Sequence, residues 1–282
     1  MKNKVLLVLT IASVVALMQV SSLFGQATSQ MIAGELTPDI RWQIENNTLY
    51  IRGNGVIQTT MYGTQSAWQN QQSLFNSVVI EDGIKEIGKN VFLAHKRISS
   101  LTIGGNVRDI GFLAFSKCKN LSVVEVKGAI PPDLCIGSFY KLKFKKAKLI
   151  VPAGTKATYL ADPIWSKFGT IEESVHPPTD GLPAPVETLA EPCLIHLRRT
   201  SNFVGGGINL KVFLNGVEQP MRLGNGQTIL LQTDRNKNVL YFQQGKYTHS
   251  IRRFNATSGG DVRIEYSHWF GYMQVIDEKN EE

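Results

Sequence analysis

Five histidines and three cysteines are the side chains through which this 282-residue chain could ligate a metal or carry a nucleophile. His95, His176, His196, His249 and His268 are scattered. No two stand at the i, i+4 spacing that puts a pair of imidazoles on one helix face, and no cysteine pair completes a zinc set. No metal site is expected. The sequence also lacks a phosphate-cradling glycine loop, a dinucleotide fingerprint and a Gly-x-Ser-x-Gly elbow, so no cofactor is expected either. Cys118, Cys135 and Cys193 are odd in number, which allows at most one disulfide and leaves one thiol free. With no acid, base and nucleophile set in view, the expectation is a non-enzymatic protein, and a hydrolase is the least supported reading.

Two clusters suit binding better than catalysis. Lys141, Lys143, Lys145, Lys146 and Lys148 are interleaved with Leu142 and Phe144. A strand-like alternation would set several cations on one side, where acidic glycans or lipid headgroups could be held. The same lysines could simply keep a sheet edge soluble. Tyr266-Ser267-His268-Trp269-Phe270-Gly271-Tyr272 packs four aromatics into a short stretch, as protein- and sugar-binding surfaces do, although a sandwich core also needs aromatics. The candidate partner-binding residues are Lys141, Lys143, Lys145, Trp269 and Tyr272. Formal charge is +7 for the whole chain. It falls to about +5 if Lys2 and Lys4 are removed with a leader, too mild to imply a nucleic-acid partner.

The elements that position these residues follow from a repeat. Ser77-Val78-Val79-Ile80 superposes on Ser100-Leu101-Thr102-Ile103, and the agreement runs on: Ile84 with Val107, Ile87 with Ile110, Gly88 with Gly111, Phe92 with Phe115, Ile98 with Leu121. A third, degenerate copy sets Val123 to Val126 on the strand positions and Ile130 on Val107. Pro131-Pro132 then interrupts it, and Phe139 arrives one residue late. A period in the twenties means a solenoid, since a short strand and a turn cannot cover their own apolar face until a neighbour stacks on them. Val78, Ile80, Leu101 and Ile103 then point inward, while Val79 and Thr102 face out. Period-two alternation from Asp39 to Ile57 and a short helix from Thr155 to Phe168 would close the two ends.

These residues resemble the BspA-like leucine-rich repeats of Bacteroidetes and some protozoa. That pattern runs strand, Ile-x-x-Ile-Gly-x-x-Ala-Phe, Cys-x-x-Leu. The second copy carries it as Val107, Ile110, Gly111, Ala114, Phe115, Cys118 and Leu121; the first has Val91 where the pattern has alanine. Trp42-Gln43-Ile44 with Thr48 to Gly55 looks like the family's opening hairpin, and Leu149 to Thr155 with Tyr159 and Trp165 to Phe168 like its closing segment. The resemblance implies surface or secreted recognition of proteins, other cells or glycans.

From His176 to Pro185 the chain is rich in proline, which favours an extended, semi-rigid linker. Beyond it, Leu194 to Leu197, Asn209 to Leu214, Thr228 to Gln232, Leu240 to Phe242, Tyr247 to Phe254 and Asp261 to Tyr266 read as strands. The turn signals between them are Gly205-Gly206-Gly207, Asn215-Gly216, Asn225-Gly226 and Gly259-Gly260. Asn-Gly favours tight hairpins, and the even spacing suggests a small antiparallel β-sandwich. Its order is faintly similar to bacterial envelope domains of the DUF2846 or PEGA kind.

Lys2 and Lys4 precede an apolar run from Val5 to Met18, the charge order of a secretory signal peptide, with Gly25 and Ala27 placing cleavage before Thr28. No cysteine follows to take a lipid anchor, and no later stretch is long and apolar enough for a transmembrane helix. The sequence thus reads as mainly β: signal peptide 1–27, leucine-rich-repeat domain 36–173, proline-rich linker 174–189 and β-sandwich domain 190–278. The expected function is an exported binding or adhesion protein for a protein or glycan partner, in the periplasm, at the cell surface or secreted. The alternative is a structural or accessory envelope component whose β domain docks onto another envelope protein. Mass spectrometry of the exported protein should find Thr28 at its amino terminus; an intact Met1 to Ala27 segment would refute the leader.

Overall fold

The structure, a computed structural model, describes residues 32–58, 66–181, 186–201, 208–245, 247–267 and 272–276. From Ala33 onward the described residues form one compact unit. Residues 1–27, expected to be a signal peptide, and Gly205-Gly206-Gly207, expected to be a turn, lie outside them. Among the described residues no helix is long and apolar enough to cross a membrane.

The first half is a solenoid of two sheets. An entry region supplies β1 (Ile32–Thr37), β2 (Ile40–Glu45), β3 (Thr48–Gly53) and β4 (Gly55–Ile57). Each repeat then adds a strand to a long sheet and one to a short sheet: β5 (Ser77–Ile80) and β6 (Ile84–Ile87), β7 (Ser100–Ile103) and β8 (Asp109–Ile110), β9 (Val123–Val126) and β10 (Asp133–Leu134). β11 (Lys148–Val151) and β12 (Thr170–Glu173) close the array. The long sheet runs β1-β2-β3-β5-β7-β9-β11-β12 and the short one β10-β8-β6-β4. Ser77 pairs with Ser100 and Ser100 with Val123, so the sequence register is the strand register. Ile80, Ile87, Phe92, Ile103, Ile110 and Phe115 are all buried, as that register requires.

Aromatic rings run through the stack. Phe92 lies 5.1 Å from Phe115 and Phe115 5.4 Å from Phe139, each pair nearly parallel. Trp68 caps one end of the column at 5.3 Å from Phe92, and Trp165 meets Phe139 edge-on at 5.8 Å at the other. Coils also share backbone hydrogen bonds: Phe92 N–H donates to Ala114 O, Ala94 to Ser116, and Lys117 to Tyr140. These bonds hold Ala94, Lys117 and Lys141 at positive φ at equivalent points of successive coils, a conformation that costs about 1 kcal/mol or more in isolation. The glycine after each isoleucine allows the coils this close: a Cβ on Gly88 would sit 2.4 Å from Ile57 O, and one on Gly111 2.7 Å from Gly88 C.

The degenerate third copy keeps its place. β10 pairs with β8 despite the prolines before it, and Phe139 stacks although it comes late. Ile130 is only half-buried, with Ala129 fully buried beside it. The closing segment is less helical than expected. It forms α1 (Lys156–Leu160) and a separate 3₁₀ turn, Trp165–Lys167. Pro163 disfavours helix at the residue before it, and Asp162 Oδ1 instead accepts from the N–H groups of Ile164 and Trp165 at 2.8 Å each.

Part of the proline-rich segment is strapped along the solenoid. Thr179 N–H donates to Lys127 O, its hydroxyl to Asp82, and Asp180 accepts from Ala129 N–H and pairs with Arg108 at 3.1 Å. Extended backbone without internal bonds is free to make these external ones.

The described residues of the second half form eight strands: β13 (Thr188–Arg199), β14 (Leu210–Leu214), β15 (Val217–Leu223), β16 (Thr228–Arg235), β17 (Lys237–Gln244), β18 (Tyr247–Asn255), β19 (Asp261–Ser267) and β20 (Tyr272–Ile276). They form two four-stranded sheets, β16-β13-β19-β20 and β15-β14-β17-β18. Ile195, Leu197, Val212, Leu240, Phe242 and Ile264 lie in the core between them. Asn215 and Gly216, at φ 52° and 84°, make the two-residue hairpin turn expected of Asn-Gly. One pairing departs from the antiparallel expectation. β13 and β19 run parallel, because strands far apart in the chain are not tied by a hairpin.

Phe115→Ala removes the middle ring of the column and should cost about 3–5 kcal/mol. Urea unfolding monitored by tryptophan fluorescence measures it, and a midpoint equal to that of the wild type would refute the ring column as core.

Candidate functional site

Successive side chains on a strand alternate between faces, so the buried columns of the long sheet imply equally regular exposed ones. Gln43, Tyr50, Val79, Thr102, Glu125, Ile150 and Glu172 are neighbours in turn across β2, β3, β5, β7, β9, β11 and β12. A second column holds Thr48, Ser77, Ser100, Val123, Lys148 and Thr170. At the strand spacing of about 4.8 Å this face extends about 30 Å.

Its polar groups are partly tied to each other. Arg52 Nε pairs with Glu81 at 2.7 Å and its guanidinium stands 4.9 Å from the Tyr50 ring centre; burial opposes the Arg52 charge less than the Glu81 hydrogen bond favours it, which raises its pKa. Thr102 donates to Glu125 at 3.2 Å, and Lys148 pairs with Glu172 at 2.9 Å. Small and β-branched residues (Ser77, Val79, Ser100, Thr102, Val123) fill the centre, each half-buried, and leave a low outward surface while the backbone there is committed to the sheet ladder. A broad sheet face offers area rather than enclosure, which suits a macromolecule better than a small molecule.

The sequence-derived candidates lie elsewhere. Lys141, Lys143 and Lys145 are exposed, but on the turn and 3₁₀ segment (Phe144–Lys146) that lead into β11, not on a strand. The alternation arises because Phe144 turns inward against Phe139 and Phe168 while the lysines stay in water. Lys141 Nζ lies 5.4 Å from the ring of exposed Tyr140. Trp269 lies outside the described residues. Tyr272 opens β20 opposite Ser267, and Tyr266 from the same aromatic stretch is a core residue.

Among the described residues the histidines do not converge; His268 and the side chain of His249 lie outside them. His95 is buried against Phe75 and Phe92, and burial lowers its pKa, keeping it neutral. His196 meets Asp261 at 3.2 Å on the outside of the sandwich, and His176 is exposed. Among the described residues no group of three His, Cys, Asp or Glu is placed to hold a metal ion. The three cysteines are free thiols, with Cys118 Sγ donating to Phe92 O at 3.2 Å. Burial pushes both Cys118 and Cys135 up to about 12.

A cleft of about 400 Å³ lies between the short sheet of the solenoid and the sandwich, lined among others by Glu86, Asp109, Asp133, Cys135 and Arg252. Sequence reasoning missed it. A signal existed: Glu86, Asp109 and Asp133 recur at one position of successive repeats.

Comparison with known proteins follows the same division. Residues 63–149 match the model of the BspA type leucine rich repeat region. A crystal structure of a leucine-rich repeat protein from Eubacterium ventriosum is similar at 17% identity and a TM-score of 0.32, over 51% of this chain and 41% of that one. The chain thus spans less than half the length of that protein. No curated protein matches.

Only the thiolate attacks, and burial holds the Cys118 thiol well above the usual thiol range. An aromatic disulfide reagent should leave Cys118 unmodified in the native protein and label it on unfolding; fast native labelling would contradict its burial.

Proposed function

We propose that the protein is exported and acts without catalysis as a binding or adhesion protein, holding a protein or glycan partner on the exposed face of its long sheet. The in-register columns of Tyr50, Val79, Thr102, Glu125 and Ile150 carry this reading. They present a continuous surface with small residues at its centre. The match to a leucine-rich-repeat family model over residues 63–149 supports a binding role for the same region. In this reading residues 36–173 are the recognition domain, 174–189 connect it, and 190–278 form a second domain. The amino-terminal segment directs the chain to the periplasm, cell surface or medium.

A second reading rests on the lysines. Lys141, Lys143 and Lys145 are together and exposed, which suits an acidic glycan. The sandwich domain also exposes Leu194 and Leu230 on neighbouring strands, as the alternative of an accessory component docked on an envelope protein would use.

Protease shaving of intact cells separates these: a surface adhesin is cleaved, a periplasmic component is protected. On an array of extracellular proteins and glycans, the double variant Val79→Glu, Thr102→Arg should bind the wild-type partner about tenfold or more weakly, as expected for central interface positions. Melting should change little, since both side chains face outward. Unchanged binding by this variant, with loss in Lys141→Gln, Lys143→Gln, Lys145→Gln on a heparin matrix, would move the site to the lysines.

A further inference from the structure

Glu86, Asp109 and Asp133 form a ladder. They are directly opposite one another on β6, β8 and β10, so three carboxylates stack at the spacing of adjacent strands. Like charges in this arrangement repel. The offset comes from consecutive arginines on β18 of the sandwich.

Arg252 Nη1 donates to Asp109 Oδ1 at 2.6 Å. Arg253 reaches deeper: its backbone N–H donates to Asp133 Oδ2 at 2.7 Å, and its guanidinium spans Asp133 and Asp162, binding both. The Asp162 side chain is fully buried, and its other oxygen caps the turn at Ile164 and Trp165. One guanidinium therefore joins the last rung of the ladder, the closing segment of the solenoid and the sandwich. A bulge in β18 at Ser250, where Tyr241 pairs with Ile251 but Phe242 with His249, sets where the two arginines fall.

We propose that the ladder Glu86, Asp109, Asp133 with Arg252 and Arg253 is an electrostatic latch that docks the sandwich on the solenoid in one orientation. Four buried or half-buried carboxylates, counting Asp162, face two guanidiniums, so the latch holds excess negative charge at neutral pH. Asp133 faces Arg252 and Arg253 from β18, Asp109 and then Glu86 along the ladder, and Cys135 beyond β10. Asp162 lies across Arg253, with Tyr159, Tyr241 and Lys167 beside it. Burial raises the Asp133 pKa to about 6 against the opposing pull of Arg253. Burial raises Asp109 and Glu86 too, with Arg252 opposing. Arg253 stays charged, because Asp133 and Asp162 outweigh the cost of its burial.

Both signs of charge are needed: without the arginines the three carboxylates repel along the ladder, and without Asp133 and Asp162 the buried Arg253 guanidinium has no counter-charge.

The test uses the full chain with a protease site placed between Gly181 and Val186, cut after folding. The two fragments should co-elute in gel filtration, and Asp133→Asn, which keeps the shape and removes the charge, should raise their apparent Kd about tenfold or more. Arg253→Met should separate the fragments. The proposal is overturned if the cut wild type separates, or if Arg253→Met co-elutes with the wild-type Kd.

Discussion

No coil of this solenoid can exist alone. A strand of four residues, a turn and one phenylalanine bury nothing until the next coil covers them, and the column from Trp68 through Phe92, Phe115 and Phe139 to Trp165 is where that dependence is densest. Offset and edge-on ring pairs add about 0.5–1.5 kcal/mol each beyond the area they bury. They also set the step between coils, since rings about 5 Å apart match the spacing of hydrogen-bonded strands. The tryptophans at the two ends present large apolar surfaces to the last phenylalanines, which would otherwise face water.

That step then dictates both surfaces of the solenoid. With inner columns locked, outer residues must line up, and any residue type recurring at one repeat position becomes a stripe. On the long sheet the stripe is small and mixed in polarity, an open surface. On the short sheet it is acidic. The same stacking that lines up the open face of the long sheet lines up three carboxylates on the short one.

The sandwich supplies their counter-charge. Its own core is complete between its two sheets, so Arg252 and Arg253 contribute little to holding it together and much to where it sits. A buried charge pair is weak evidence for overall stability, because desolvation offsets attraction, but it is strongly directional. Two carboxylates that must meet at one guanidinium tolerate few orientations, and the hydrogen-bonded strap through Thr179 and Asp180 runs along the same body. From Ala33 onward the described residues form one compact unit, although its halves have separate cores.

Much of this was legible in the residues. Superposing Ser77 on Ser100 and Phe92 on Phe115 was enough to place the strands, the buried set and the outward direction of Val79 and Thr102, because a repeat imposes its register locally. Asn215-Gly216 announced its own turn for the same reason. Other features depended on groups distant in the chain. The lysines at 141 to 145 alternate with apolar residues as a strand would, yet Phe144 is drawn inward by Phe139 and Phe168, and only the packed end of the solenoid decides that. The parallel pairing of β13 with β19 has no local signal. Glu86, Asp109 and Asp133 were visible as a recurring acid, but their meaning depends on Arg252 and Arg253, more than a hundred residues later. Short-range periodicity is written in neighbouring residues; the partner of a buried charge is settled only when the chain has folded back on itself.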